Sequence, residues 1–118
     1  MMRLRLRNHT PLAVALALAL FAGIAVAGEA KTPLGKWMKP NMGAPLAGQD
    51  FDTLAKSLTL VASKPPPAGS FPNWAQMAKD GATAASKQDI KGVKASCKAC
   101  HDAYKKSYID QFPTRPFP

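Results

Sequence analysis

The five residues Cys97-Lys98-Ala99-Cys100-His101 constrain this chain more than any other stretch. They spell C-x-x-C-H, the attachment signature of a c-type haem. Two thiols add across the two vinyl groups of the haem as thioethers, and the two-residue spacer lets both sulfurs reach one porphyrin edge. The adjacent histidine then lies under the ring and offers an imidazole nitrogen to the iron as proximal ligand. On a helix, positions i, i+3 and i+4 share one face, so the motif requires a helix whose apolar side carries all three groups. It also tells what the core is built around. A domain of about 90 residues buries only about two-thirds of its unfolded surface, and a covalently held haem c would supply it with a large apolar body.

Two other chemistries use C-x-x-C. Structural zinc takes four ligands in a tetrahedron, whereas Cys97, Cys100 and His101 are crowded together and the only other histidine, His9, falls in an N-terminal export signal. A thioredoxin-like dithiol calls for a βαβ pattern around the motif, and no period-2 run of β-branched residues occurs here. The export signal itself favours haem. Arg3, Arg5 and Arg7 precede the apolar run Leu12 to Val26, and Ala25-Val26-Ala27 offers a small-residue cleavage site. The run is short for a membrane span, which takes about 20 apolar residues. We therefore expect a signal peptide over 1–27, a mature haem domain over 28–118 with no stable membrane anchor, and a periplasmic location. Both cysteines are used by the motif, so no structural disulfide is expected.

The mature part reads as all-α. Thr32-Pro33 marks a helix start, with Leu34, Trp37 and Met38 on one face. Pro40 is expected to end this first helix early, leaving Asn41 to Gln49 as an irregular connection. Asp50 or Asp52 caps a second helix whose buried positions are Phe51, Leu54, Ala55, Leu58, Val61 and Ala62. Lys64 to Gly69 forms a stiff proline-rich loop. A third helix is expected from about Ser70 to Pro72 onward, burying Trp74, Met77, Ala78, Gly81, Ala82 and Ala85. Asp89 caps the fourth and longest helix. It carries Ile90, Val93, Cys97, Cys100, His101, Tyr104 and Tyr108 at 3-and-4 spacing and stops near Gln111, before Phe112-Pro113.

The run Asp89 to Val93 leading into Cys97-Lys98-Ala99-Cys100-His101-Asp102-x-Tyr104-Lys105 resembles the last helix of class II cytochromes c, the cytochrome c prime group and its low-spin relatives. Phe51-Asp52-x-Leu54-Ala55 resembles the start of their second helix. The resemblance spans about residues 50–110. It implies a small four-helix-bundle-like haem domain with its C-x-x-C-H helix at the C-terminal end, here with a short first helix where the family has a long one. It also implies one of two distal arrangements. Some members leave the distal face open and bind gases such as nitric oxide; others place a methionine of the first helix on the iron and carry electrons. Of the mature methionines Met38, Met42 and Met77, Met38 in Trp37-Met38-Lys39 stands where the low-spin relatives carry theirs, and Met42 is the neighbouring alternative. A peroxidase role would want a distal acid–base group, for which no second histidine remains.

The remaining charge pattern concerns partners. The chain carries 16 Lys and Arg against 7 Asp and Glu, a net +9. Without the three signal arginines the balance is 13 to 7. At a periplasmic address this points to an acidic redox partner protein rather than nucleic acid. Lys87, Lys91, Lys94, Lys98 and Lys105 fall within about 60° of one another on a helical wheel, a basic rim beside the haem face or an ordinary solvated stripe. Lys105, at i+4 from His101, is placed to pair with a haem propionate. Trp37 and Trp74 read as core packed beside the ring. The leading expectation is one-electron transfer without substrate chemistry; the alternative is a five-coordinate haem protein binding small gases. Nothing in the pattern assigns an oligomeric state.

Overall fold

The Thr32 hydroxyl accepts from the Gly35 N–H at 3.1 Å, and Pro33 takes the first helical position, where a missing N–H costs nothing. From this start the computed structural model describes residues 29–67 and 69–118, and all its regular structure is helical. The signal sequence expected over 1–27 lies outside the described residues. Among the described residues no helix is long and apolar enough to cross a membrane.

Helix α1 occupies residues 33–48. Its opening α-turns, Pro33–Met38, run into a wide π-turn, Lys39–Gly43, and then a last α-turn, Ala44–Gly48. This corrects the expectation that Pro40 stops the helix and that Asn41 to Gln49 is irregular. The first α-stretch is indeed short, but the chain widens instead of leaving the helix. The Ala44 N–H reaches back five residues to the Lys39 carbonyl, the spacing of a π-turn. The Trp37 carbonyl is satisfied by a side chain, the Asn41 Nδ2 at 2.8 Å. From the helix that follows, the Ser57 hydroxyl donates to the Asn41 carbonyl at 2.8 Å. The wide turn is thus stitched internally by Asn41 and to its neighbour by Ser57.

Helix α2, Phe51–Ser63, is capped as expected. Asp50 accepts from the Thr53 N–H at 3.2 Å and from the Thr53 hydroxyl at 2.6 Å. Helix α3 is Trp74–Ser86. It begins later than expected, because Phe71 to Asn73 first makes a turn in which the Trp74 N–H donates to the Phe71 carbonyl. The Asn73 N–H donates to the Tyr104 hydroxyl at 3.1 Å, tying that turn to the last helix. Helix α4 occupies residues 90–111 as α-turns Ile90–Cys100, a π-turn His101–Lys105 and α-turns Lys106–Gln111. Asp89 caps it through the Gly92 N–H at 3.0 Å.

Short connections make successive helices neighbours. Helix α2 packs along α3 and α3 along α4, while the wide turn and last turn of α1 rest on α2. One core cluster gathers Leu54, Leu58, Ala85 and Val93; the other gathers Leu34, Val61, Ala62, Phe71, Trp74, Ala78 and Tyr108. Trp74 keeps its indole N–H satisfied by donating to the Val61 carbonyl at 2.9 Å. The α3–α4 contact is close at Gly81, where a Cβ would stand 2.9 Å from Ser96 Oγ and 3.1 Å from Leu58 Cδ1. Ser96 has no easy way out, since its hydroxyl is spent on the Met77 carbonyl. Gly81→Ala gains about 1 kcal/mol of helix propensity but overpacks a tight site at a cost of about 1–3 kcal/mol. We expect a lower urea midpoint with an unchanged slope; a midpoint at or above wild type would show that the helices can part without cost.

Candidate functional site

Between α1 and α4 the packing opens into a cavity of about 320 Å³, at the lower end of the ~300–1,000 Å³ typical of small-molecule sites. Helix α4 lines it with Cys97, Cys100 and His101, and α1 faces them with Leu34, Met38, Met42 and Leu46. Trp74 adds its ring from α3, and Tyr104 and Tyr108 continue the α4 wall. The motif residues therefore share one cavity, as their i, i+3, i+4 spacing dictates.

The π-turn that starts at His101 re-aims the end of α4. A turn one residue wider than α rotates the rest of the helix backward relative to an unbroken α-helix. Lys105 and Ile109 stand beside His101, where with Lys31, Lys106 and Asp110 they line a second cleft. Tyr104 and Tyr108 border the cavity and also join the aromatic core. The Tyr108 ring stacks on Trp74 with centroids 5.5 Å apart, and Tyr104 meets Phe71 edge-on at 4.8 Å.

Burial pushes both thiols up, and the neighbouring Cys97 adds to the shift at Cys100. Both stand as neutral, half-buried thiols, unlike the low-pKa thiolate on which a dithiol redox centre depends. His101 is exposed at the rim. Burial of its inner side, and then the Lys105 charge, hold its imidazole below the usual value against the opposing pull of Asp102. It is therefore neutral at pH 7, with a nitrogen lone pair to offer. Among the described residues no group of three or more His, Cys, Asp and Glu side chains is placed to hold a metal ion.

Of the methionines, Met38 and Met42 both line the wall opposite His101, and Met77 lines none of it. The expectation of a loop at Met42 is corrected here: the wide turn carries it on the same helix as Met38. Trp74 borders the cavity, but Trp37 does not; its ring meets Phe117 at 4.8 Å. Of the five-lysine stripe only Lys105 reaches the cavity, while Lys31 and Lys39 complete the basic rim from α1 and the residue before its cap. Lys98 is paired with Asp102, and a second exposed i,i+4 pair joins Lys106 to Asp110. Sequence reasoning missed Lys31, Leu46, Asn41 and Ser57. Only Ser57 left a signal, a polar residue within the buried arc of α2. No protein-family model matches this chain, and no curated protein or solved structure does so either.

Proposed function

We propose that this chain is a periplasmic c-type cytochrome that holds one haem covalently and passes single electrons to and from an acidic partner protein. The observation that carries this reading is the cavity itself. Two neutral thiols and a neutral imidazole line one wall in C-x-x-C-H spacing, and two thioether sulfurs line the other. When bound, haem c supplies an iron that alternates between ferrous and ferric states.

The chain's own residues would divide the work. Cys97 and Cys100 hold the porphyrin edge and His101 offers its nitrogen. Met38, or Met42 one turn on, offers a soft sulfur that favours ferrous iron and raises the potential. Leu34, Leu46 and Trp74 keep water from the apolar side. Lys31 and Lys105 at the rim supply charge complementary to the haem carboxylates, and the wider excess of lysine steers an acidic partner. The periplasmic address rests on the signal-like stretch over 1–27.

The test is the protein produced together with a cytochrome maturation system. We expect one haem mass that survives denaturation and acid–acetone extraction, and a low-spin ferric spectrum with a weak sulfur-to-iron band. That band should vanish in Met38→Ala. If it vanishes in Met42→Ala instead, the ligand moves one turn along α1 and electron transfer stands. A high-spin wild-type spectrum that takes up carbon monoxide without competition replaces the electron carrier with a gas-binding protein. Haem that acid–acetone extracts from the wild type removes the reading altogether.

A further inference from the structure

Residues 112–118 run back across the molecule and touch the aromatic core, the proline-rich loop and helix α1 in turn. Helix α4 ends at Gln111, and Phe112 stays in the aromatic core, 5.6 Å from Tyr108 and 6.0 Å from Phe71 between ring centroids. Arg115 then reaches back to the proline-rich loop, where its Nη2 donates to the Pro65 carbonyl at 3.0 Å and the Lys64 carbonyl at 3.4 Å. Phe117 finally lays its ring edge-on against Trp37, with centroids 4.8 Å apart and planes at 62°. Trp37 belongs to α1, next in sequence to Met38, and its carbonyl receives the Asn41 side chain that closes the wide turn. The segment therefore bridges the end of one cavity wall to the back of the other.

We propose that residues 112–118 are a strap that sets the position of helix α1 against the cavity, with Phe117 and Arg115 as positioning residues for the distal wall. Its functional meaning rests on the cytochrome reading above. Met38 and Met42 line the cavity and also rest on the core, where Trp37 packs beside them. Phe117 adds its ring to Trp37 from the far end of the described chain. Removing the Phe117 ring takes away that contact, so α1 with Trp37 and Met38 is held less firmly, while the Leu54, Leu58, Ala85 and Val93 cluster, which Phe117 does not touch, keeps its packing.

The test compares haem-loaded wild type, Phe117→Ala, Phe117→Leu and Arg115→Ala. Two readouts are taken: carbon monoxide binding to the ferrous protein, and backbone hydrogen exchange resolved along the chain. Phe117→Ala is expected to bind carbon monoxide about two- to tenfold faster, the population shift that an aromatic pair of this kind sustains. Exchange over residues 33–43 should rise while exchange over 54–62 does not. Phe117→Leu, which keeps the apolar bulk, should restore most of both, and Arg115→Ala should move them in the same direction as Phe117→Ala. Unchanged carbon monoxide kinetics in Phe117→Ala overturn the proposal, as does exchange that rises equally in every helix, which marks plain loss of stability. Should the wild type carry no covalent haem, the cytochrome reading falls by itself, and the exchange comparison on the full chain still decides whether the strap holds α1.

Discussion

On the cytochrome proposal, replacing Cys97 and Cys100 together by alanine should take covalent haem from one per chain to none. Each single replacement leaves one thioether, so the singly substituted proteins should retain haem mass on denaturation with an altered vinyl signature, and only the double variant should release it to acid–acetone. The cost to the protein part is small by comparison. Both thiols are only partly buried, and trimming a sulfur from the edge of the Leu54, Leu58, Ala85 and Val93 cluster should cost about 1 kcal/mol, well under a Leu→Ala change in a core. The far-ultraviolet helix signal of the double variant, compared with wild type before haem loading, separates these contributions. A double variant that keeps haem through acid–acetone extraction would mean that the motif plays some other part.

His101→Ala is the second large effect, and its size depends on whether haem is bound. The side chain is exposed at the cavity rim and makes no hydrogen bond on which the fold depends. In the haem-free chain the substitution should therefore stay within about 0.5 kcal/mol, as exposed changes usually do. In the haem-loaded chain it removes the one imidazole that the described residues contain. Yield of stable holoprotein should collapse, and helix content with it, because ligand binding and folding are coupled. Added imidazole should restore part of the wild-type spectrum. Wild-type yield and spectrum in His101→Ala would reassign the proximal ligand.

The sequence was legible where rules are local. Thr32, Asp50 and Asp89 cap helices through their own side chains, and the helical spacing of Leu54, Leu58 and Val61, or of Cys97, Cys100 and His101, fixes which face turns inward. Pro40 misled because its local rule is only half of the physics. A proline breaks an α-turn, but a wider turn tolerates it once Asn41 covers the Trp37 carbonyl and Ser57, sixteen residues further on, covers that of Asn41. Such partners are set by packing and leave no periodic mark. The cavity was half legible in the same way. Its α4 wall is dictated by spacing, whereas the presence of Met42 and Leu46 on the opposite side depends on the wide turn that carries them there, and Lys31 reaches the rim from just before the Thr32 cap. The contact of Phe117 with Trp37 joins opposite ends of the described chain, and nothing near either residue announces it.

The two wide turns also let one rod serve two surfaces that are out of phase. Up to Cys100, helix α4 presents Ser96 to α3, where Gly81 admits it closely, and Val93 to the Leu54, Leu58 and Ala85 cluster. Beyond Lys105 the same helix must present Tyr108 to Trp74 and send the chain back across the molecule. A straight α-helix keeps a single angular phase along its length. The extra residue between His101 and Lys105 shifts that phase once, at the level where the histidine nitrogen sits, and the extra residue between Lys39 and Gly43 does the same on the facing wall. Loss of any one residue from either turn would put every side chain beyond it about 100° out of step. A change in chain length within either of these two short segments is therefore felt along the whole wall that follows it.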